Sequence, residues 1–322
     1  MKRTIRAIVF SMVLIFHIPT TALAAQLLIP GGQLVGLELS NDTVTVAAFD
    51  DVWGATAREA GLQIGDQILS VNGQRVASAG DERQALQGCD KEAAVEILRG
   101  SKRMELRIRP ADTREGKRLG VCLRQGIAGV GTVTFYDPET DVFGTLGHGV
   151  NDGKGTLLPM VRGKACEAAV ASVRKGKPGE PGQLKGSADG DDVIGQVTKN
   201  TPQGVFGTSR TGFHGEPLPV AEFADVKPGA AVIRSTVCGD GIREYSVEIL
   251  KIYPADRTDC RNFLIKVTDP ELLKETGGIV QGMSGSPIIQ DGKLVGAVTH
   301  VLVNDPTMGY GIFIENMLDA AS

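Results

Sequence analysis

A serine bracketed by glycines stands near the C-terminal end of the chain, in the stretch GMSGSP at positions 282–287. Nucleophilic catalysis by serine needs a base that takes the hydroxyl proton, usually an acid that orients the base, and N–H donors at the developing oxyanion. Ser284 is the candidate nucleophile and Ser286 is its rival. A tight turn without chemistry is the alternative, because two closely spaced glycines often mark only a turn.

The chain contains four histidines, and three of them lie outside the N-terminal segment. His148 lies in FGTLGHGV, where flanking glycines expose it at the end of a predicted strand and it precedes the serine. His214 lies in a loop and His300 ends the strand LVGAVTH, so both are weaker candidates. We predict that His148 is the base, although a lone histidine often has only a structural role.

Asp269 is the candidate acid. It ends the apolar strand FLIKV, where a carboxylate can be buried beside a base. The same residues, DPELL, are also typical of a helix N-cap followed by proline at the first helical position. The local sequence leaves both interpretations open.

The elements that must position these residues are predicted to be short strands. Glycine is abundant, with 42 residues, and aromatic residues make up only 5% of the chain. From residue 113 onward, regularly spaced strands and turns without long helices predict an antiparallel β-barrel or sandwich. The Pro/Gly-rich stretch KGKPGEPGQLKGSADGDD is predicted to be an exposed loop. We therefore expect a mainly β protein.

The sequence of residues 27–112 predicts a separate domain. The stretch AREAGLQIGDQILSVNGQRV predicts a short helix, a strand and an Asn72-Gly73 hairpin turn, and it resembles the PDZ domain. PDZ domains bind a peptide as an added strand, and the amides of a glycine-containing loop hold the terminal carboxylate. We predict that Leu34, Val35 and Gly36 form this loop. A rigid spacer with an unused groove is the alternative.

The first 25 residues resemble an export signal. Three basic residues precede an apolar run from Ala7 to Ile18, and small residues at Ala22 to Ala25 offer a cleavage site. A retained membrane anchor is the alternative. We expect an exported protein that works outside the cytoplasm, and a retained segment would associate it with the membrane.

Charge and cysteine content exclude several classes of function. The formal net charge is −4, and no basic stripe is interleaved with aromatic residues, so nucleic acid is not an expected partner. The five cysteines are scattered without a C-x-x-C pair, which is atypical of zinc sites. One bridge, Cys238 to Cys260, is conceivable. We expect neither a metal nor an organic cofactor.

Three stretches resemble the sporulation stage IV protein B peptidases, which are PDZ-bearing serine proteases: TVTFYDPETDVFGTLGHGV, FLIKVTDPELLKETGGIVQGMSGSPII and GKLVGAVTHVLVNDPTMGYGIFIENML. The resemblance extends from Leu27 to Leu318. It implies a chymotrypsin-like peptidase domain over residues 113–322, in which His148, Asp269 and Ser284 form the catalytic triad.

GMSGSP also resembles the nucleophile turn of trypsin-like enzymes. This second resemblance implies that the N–H groups of Gly282 and Ser284 form the oxyanion hole. The stretch KLVGAVTHV resembles the substrate-binding strand of the same enzymes, which implies that Thr299 lies near the acid and that His300 faces the substrate. A packed strand residue is the alternative for His300. Met283 replaces an aspartate of that turn, so activation through a freshly cut N-terminus is not expected.

The family resemblance further implies a partner, a membrane-anchored regulator of an intramembrane protease. Its cleavage between the forespore and mother-cell membranes would lead to sigma-factor activation, and the enzyme's own N-terminal segment is a second possible substrate. A noncatalytic PDZ scaffold and a general quality-control protease remain the alternatives.

Overall fold

The structure is a computed structural model that describes residues 26–152, 155–237, 239 and 241–322. The predicted export signal or anchor at residues 1–25 lies outside these residues. No helix in the described ranges is both long enough and apolar enough to cross a bilayer.

Strands dominate the described residues. The first part of the chain contains, in order, β1 (Leu27–Pro30), β2 (Leu34–Phe49), α1 (Ala55–Glu59), β3 (Gln67–Val71), β4 (Gln74–Arg75), α2 (Ala79–Ala85), β5 (Ala93–Arg99), β6 (Lys102–Ile108), β7 (Ala111–Thr113), β8 (Gly116–Arg118), β9 (Val121–Tyr136), β10 (Val142–Thr145), β11 (Arg162–Arg174), β12 (Gln183–Thr201), β13 (Gly204–Ser209) and β14 (Leu218–Pro219). The second part contains β15 (Gly229–Ser235), β16 (Arg243–Ile252), β17 (Phe263–Val267), α3 (Pro270–Thr276), β18 (Pro287–Gln290), β19 (Lys293–Leu302), β20 (Asp305–Phe313) and α4 (Ile314–Ala321).

Six of these strands form a first barrel. They pair antiparallel in the order β9, β10, β13, β12, β11 and β2, and the pairing of β2 with β9 closes the ring. Alternate side chains along β2, namely Val35, Leu37 and Leu39, are buried in its core together with Val133 and Phe143. This burial follows from the two-residue period of a strand that has one face in the core.

A second barrel follows in the chain. Its six strands close in the order β15, β16, β17, β20, β19 and β18. Ile233, Val247, Phe263, Ile265 and Val298 are buried in its core. The mainly β fold with antiparallel barrel architecture in the second domain, expected from the sequence, is confirmed.

The PDZ domain is an insertion in the first barrel. Strands β2 and β9 run beyond the barrel, so that Val44 and Val46 pair with β9 and pack in a separate core with α1, α2 and β3. The predicted hairpin is present, since Asn72 and Gly73 have φ angles of 51° and 76° between β3 and β4.

The structure corrects the N-terminal boundary of this domain. The sequence predicts its start at residue 27, but residues 34–39 of β2 pair with β9, and residues 35–40 pair with β11 of the first barrel. The PDZ core takes its first residues from Val44 onward. The chain therefore starts the peptidase barrel before it forms the PDZ domain.

The prediction that Leu34, Val35 and Gly36 form the peptide-binding loop is wrong. All three lie inside β2, where Val35 and Gly36 pair with β9 on one side and with β11 on the other. A strand with partners on both edges has no free amides to offer a carboxylate.

The predicted Pro/Gly-rich loop is also shorter than expected. Only residues 175–182 turn the chain, because the residues from Gln183 onward form β12 and pair with β11. A Cβ atom at Gly186 would lie 2.6 Å from Val130, so this glycine allows close packing between strands and does not mark a loop. Composition alone does not distinguish these two roles of glycine.

Candidate active site

Ser284 lies on a tight turn between α3 and β18, just before the β18–β19 hairpin of the second barrel. The flanking Gly282 and Gly285 have φ angles of 100° and 95°, which side-chain-bearing residues rarely adopt. A Cβ atom at Gly285 would lie 2.1 Å from the carbonyl oxygen of Thr132. The glycines therefore give the turn its shape and let it approach the first barrel.

Two threonines of β9 hold this turn from the first barrel. Thr132 donates its hydroxyl to the Gly282 carbonyl (2.8 Å) and its N–H to the Ser284 carbonyl (2.9 Å). Thr134 donates its hydroxyl to the Gly285 carbonyl (2.7 Å). Both threonines are buried, with exposures of 1% and 0%.

Thr132 and Thr134 are not among the residues predicted from the sequence. The available signal was their alternation with apolar residues in TVTFY, which places two hydroxyls on one face of an otherwise apolar strand. These contacts couple the two barrels at the turn and support its geometry, although Met283 replaces the aspartate of trypsin-like turns.

The candidate oxyanion donors are free in the described part of the chain. Neither the N–H of Gly282 nor that of Ser284 has a hydrogen-bond acceptor there, whereas Met283 N and Gly285 N donate to Val280 O and Val298 O. Free N–H groups of the nucleophile itself and of the residue two positions before it can stabilise the charge of a tetrahedral intermediate.

The two serines of the turn differ in access. Ser284 is half-buried, and its hydroxyl donates to the carbonyl of Thr299 (2.9 Å). Ser286 is 0% exposed, and its buried hydroxyl has no hydrogen-bond partner among the residues that the structure describes. Ser284 is therefore the serine that a substrate can reach.

A cavity of about 540 Å³ joins the predicted site residues. Its polar wall contains Ser284, His148, Thr299 and His300, together with Gly282 of the turn. Its apolar wall comes from both barrels and includes Leu37, Leu39, Val130 and Ile279. The fold thus brings the candidate nucleophile, base, oxyanion donors and substrate strand to one place between the barrels.

His148 follows β10 and is held in a defined orientation. Its Nδ1 atom lies 3.0 Å from the carbonyl oxygen of Gly149. The tautomer with a proton on Nδ1 donates to this carbonyl and leaves a lone pair on Nε2, as a general base requires. Burial lowers the pKa of His148, which keeps the ring neutral.

His300 packs beside His148. The two ring centroids are 5.3 Å apart, and His300 Nδ1 is buried without a hydrogen-bond partner among the described residues. Burial lowers the pKa of His300 to about 4, with smaller contributions from electrostatic repulsion between its protonated ring and the His148 and Arg261 side chains. At neutral pH His300 is therefore an uncharged wall of the cavity.

Thr299 and Asp269 do not share hydrogen-bond partners. The Thr299 hydroxyl lies 3.0 Å from the carbonyl of Cys260 and 3.2 Å from that of Tyr310, and its single proton is shared between the two. The Asp269 carboxylate accepts from Leu272 N (2.9 Å) and Ser246 N (3.3 Å).

Asp269 is the N-cap of α3, which is one of the two interpretations that the sequence left open. It is not part of the wall of the cavity that contains His148. Its catalytic role stays a prediction from the resemblance.

The remaining candidates lie apart from the cavity. His214 is exposed in a loop before β14. Cys260 is a buried free thiol whose pKa is raised to about 11, mainly by burial, and Cys238 lies outside the described residues. In the part of the chain that the structure describes, no cluster of three or more metal-ligating side chains occurs.

Comparison with known proteins supports a peptidase. A family model described as SpoIVB peptidase S55 matches residues 115–318, and a PDZ domain model matches residues 54–106. No curated protein sequence matches the chain.

Among solved structures, the inactive form of the Rv3671c protease is 14% identical, with a TM-score of 0.36, over 59% of this chain and 82% of that chain. The active form of the same protease, from M. tuberculosis, is 15% identical, with a TM-score of 0.38, over 61% of this chain and 75% of that chain. At this level of similarity no residue role is transferred.

Proposed function

The chain belongs to the SpoIVB peptidase S55 family and is a serine endopeptidase, and we propose that it cleaves a membrane-anchored regulator protein with Ser284 as nucleophile and His148 as base. The observation that carries the assignment of these two residues is the single cavity that both line, beside the free N–H groups of Gly282 and Ser284. The family match supports the reaction class independently of this geometry.

The geometry supports acyl transfer in two steps. The Ser284 hydroxyl turns from Thr299 O to Nε2 of His148, which takes the proton while Oγ attacks the scissile carbonyl carbon. The oxyanion forms beside the N–H groups of Gly282 and Ser284. His148 then returns the proton to the leaving amine as the C–N bond breaks. A water molecule, deprotonated by His148, hydrolyses the acyl-enzyme and restores Ser284.

A pair of serine variants tests this assignment. Ser284→Ala removes the accessible hydroxyl, whereas Ser286→Ala removes a buried hydroxyl that has no partner and serves as the matched control. We expect a fluorophosphonate probe to label the wild type and Ser286→Ala, and Ser284→Ala to remain unlabelled. Labelling of Ser284→Ala but not of Ser286→Ala would contradict the assignment, and no labelling of the wild type would favour the noncatalytic scaffold.

The proposed substrate and compartment are supported by the resemblance and by the signal-like N-terminus. The protein is exported, acts between the forespore and mother-cell membranes, and cuts a regulator of an intramembrane protease, which leads to sigma-factor activation. Incubation of the purified chain with ectodomains of candidate membrane proteins, followed by mass spectrometry, tests this proposal. One dominant cut in one regulator supports signalling, whereas broad cleavage of unfolded proteins supports quality control.

A further inference from the structure

An open strand edge leads from the active site into the PDZ domain. One edge of β9 pairs with β2 along most of its length, whereas the other edge pairs with β10 only at residues 133–136. At the end of that pairing, Thr132 bonds Ser284 O through its N–H and Leu146 N through its carbonyl. The edge is therefore joined directly to the nucleophile turn.

The backbone of β9 continues this edge without a partner. In an antiparallel pair the backbone groups of alternate residues point to opposite edges, so those of Val130 and Ala128 point the same way as those of Thr132. Among the described residues, neither Val130 nor Ala128 has a hydrogen-bond partner on that side, and no strand pairs there with residues 121–131. Open edges of this kind accept an added strand.

Helix α2 lies beside β9 where the strand enters the PDZ domain. A crevice of about 720 Å³ separates them and also reaches β2 and β11. Its walls include three residues at the start of the helix and three from the strand: Ala77, Ser78, Asp81, Gln125, Ile127 and Ala128. A strand edge next to a helix is the arrangement with which PDZ domains bind extended peptides.

The position for a terminal carboxylate is already occupied. The loop of Leu119 and Gly120 leads into β9, and Gly120 has a φ of 73°. Glu82 of α2 is only 4% exposed, and its carboxylate accepts from Leu119 N at 2.8 Å. The chain thus places its own side-chain carboxylate on the glycine-containing loop that would hold a peptide C-terminus.

We propose that an internal, extended segment of the protein substrate, and not a free C-terminus, pairs with the open edge of β9 and connects the PDZ groove to Ser284. The inference rests on the proposed function, because it needs a protein substrate at that serine. The edge from Val121 to Val130 spans roughly 30 Å at about 3.3 Å per residue.

Neighbouring strands in both barrels pair antiparallel. If the substrate segment pairs with β9 in the same way, the substrate residues C-terminal to the cut lie over the PDZ domain. Glu82 closes the carboxylate position, so the segment can continue past the groove.

Peptide display tests the internal recognition. The Ser284→Ala protein, which cannot cut, is screened against random peptides of about twelve residues, enough to cover the edge. One library presents a free C-terminus, and the other is flanked by carrier protein on both sides. We expect enrichment only from the flanked library. Two results would overturn the proposal. The first is enrichment of peptides with a free C-terminus whose affinity falls about tenfold or more when that C-terminus is amidated. The second is that neither library yields enriched peptides.

Variants of Glu82 in the Ser284→Ala protein test whether Glu82 closes the position for a terminal carboxylate. Glu82→Ala frees Leu119 N, and we expect it to enrich peptides with a free C-terminus. Glu82→Gln keeps an acceptor of the same length and is the matched control, with no such enrichment expected. Equal results for the two variants would show that Glu82 does not exclude the carboxylate. The library comparison on the unaltered groove remains decisive if Glu82→Ala does not fold.

A proline on the edge tests the connection to Ser284. Proline is tolerated on an edge strand where the N–H is unpaired, so Ala128→Pro removes one donor that the substrate would use. We measure kcat/KM with the protein ectodomain that the wild type cuts in the mass-spectrometry screen, relative to the labelling rate with a fluorophosphonate. We expect this ratio to fall at least about fivefold, since one lost hydrogen bond corresponds to about 1 kcal/mol, and the bulky ring, which meets the incoming strand, adds to the loss.

An unchanged ratio would overturn the connection. If labelling itself is lost, binding of a selected peptide to the Ser284→Ala, Ala128→Pro protein decides, and unchanged binding is then the contrary result. Failure of the proposed function is distinguished from these outcomes, because it appears as absence of Ser284 labelling in the wild type.

Discussion

Replacement of Thr132 by valine tests whether the first barrel holds the oxyanion turn in its active shape. The substitution keeps the volume of a side chain that is 1% exposed, and it removes only the hydroxyl that donates to Gly282 O. The N–H bond from Thr132 to Ser284 O remains. The perturbation is therefore confined to one hydrogen bond at the residue that carries an oxyanion donor.

The expected effect follows from the burial of that bond. A buried carbonyl left without its donor costs about 1–3 kcal/mol. If this cost falls on the active conformation of the turn, kcat/KM decreases roughly 5- to 150-fold, at about 1.36 kcal/mol per factor of ten. The loss should appear in kcat more than in KM, because the oxyanion forms only on the path to the transition state.

Steady-state kinetics on a short peptide, together with chemical denaturation, measure these quantities. Thr132→Ser keeps the hydroxyl and is the control, with most of the activity expected to remain. Thr132→Val with unchanged kcat and unchanged stability would refute the reasoning. A decrease in stability with unchanged kcat would show that the bond joins the barrels without shaping the oxyanion hole.

Three further predictions concern the site. Because burial lowers the pKa of His148, the neutral base persists in more acidic solution, so the acid limb of the kcat/KM profile should have its midpoint below about 6.5; a midpoint above that value is the contrary result. Asp269→Ala removes the N-cap of α3 and should lower the unfolding free energy by about 1 kcal/mol, whereas Asp269→Asn should leave it nearly unchanged. Loss of activity in the stable Asp269→Asn protein would assign the carboxylate to catalysis, and full activity would limit it to the cap. Gly285→Ala should abolish activity and destabilise the fold, because its Cβ would lie 2.1 Å from Thr132 O, and measured activity near wild type would contradict the geometry of the turn.

Several features of this protein could be predicted from short stretches of sequence. The glycines around Ser284 predicted a tight turn, and Asn72-Gly73 predicted a hairpin, because φ angles above zero favour these residue types wherever they occur. DPELL gave the N-cap of α3 as one of two alternatives, since capping depends only on the first helical turn.

The location of the PDZ groove could not be read in the same way. Gly36 and Gly120 both stand beside apolar residues and both resemble a glycine-containing loop in sequence. Only the pairing of β2 with two neighbours shows that Gly36 is inside a sheet, whereas Gly120 precedes a strand with an open edge. Strand partners are chosen by packing between distant segments, which a local pattern does not contain.

The sequence by itself determined the mainly β class, the candidate serine and histidine, and the presence of a PDZ domain, because alternation, turn residues and family resemblance are properties of short segments. Tertiary structure alone decided that the PDZ domain interrupts the first barrel, that Thr132 holds the turn of Ser284, and that Asp269 bonds backbone amides away from the cavity. The contact between Thr132 and Gly282 joins residues 150 positions apart, so it exists only once both barrels have closed and packed against each other.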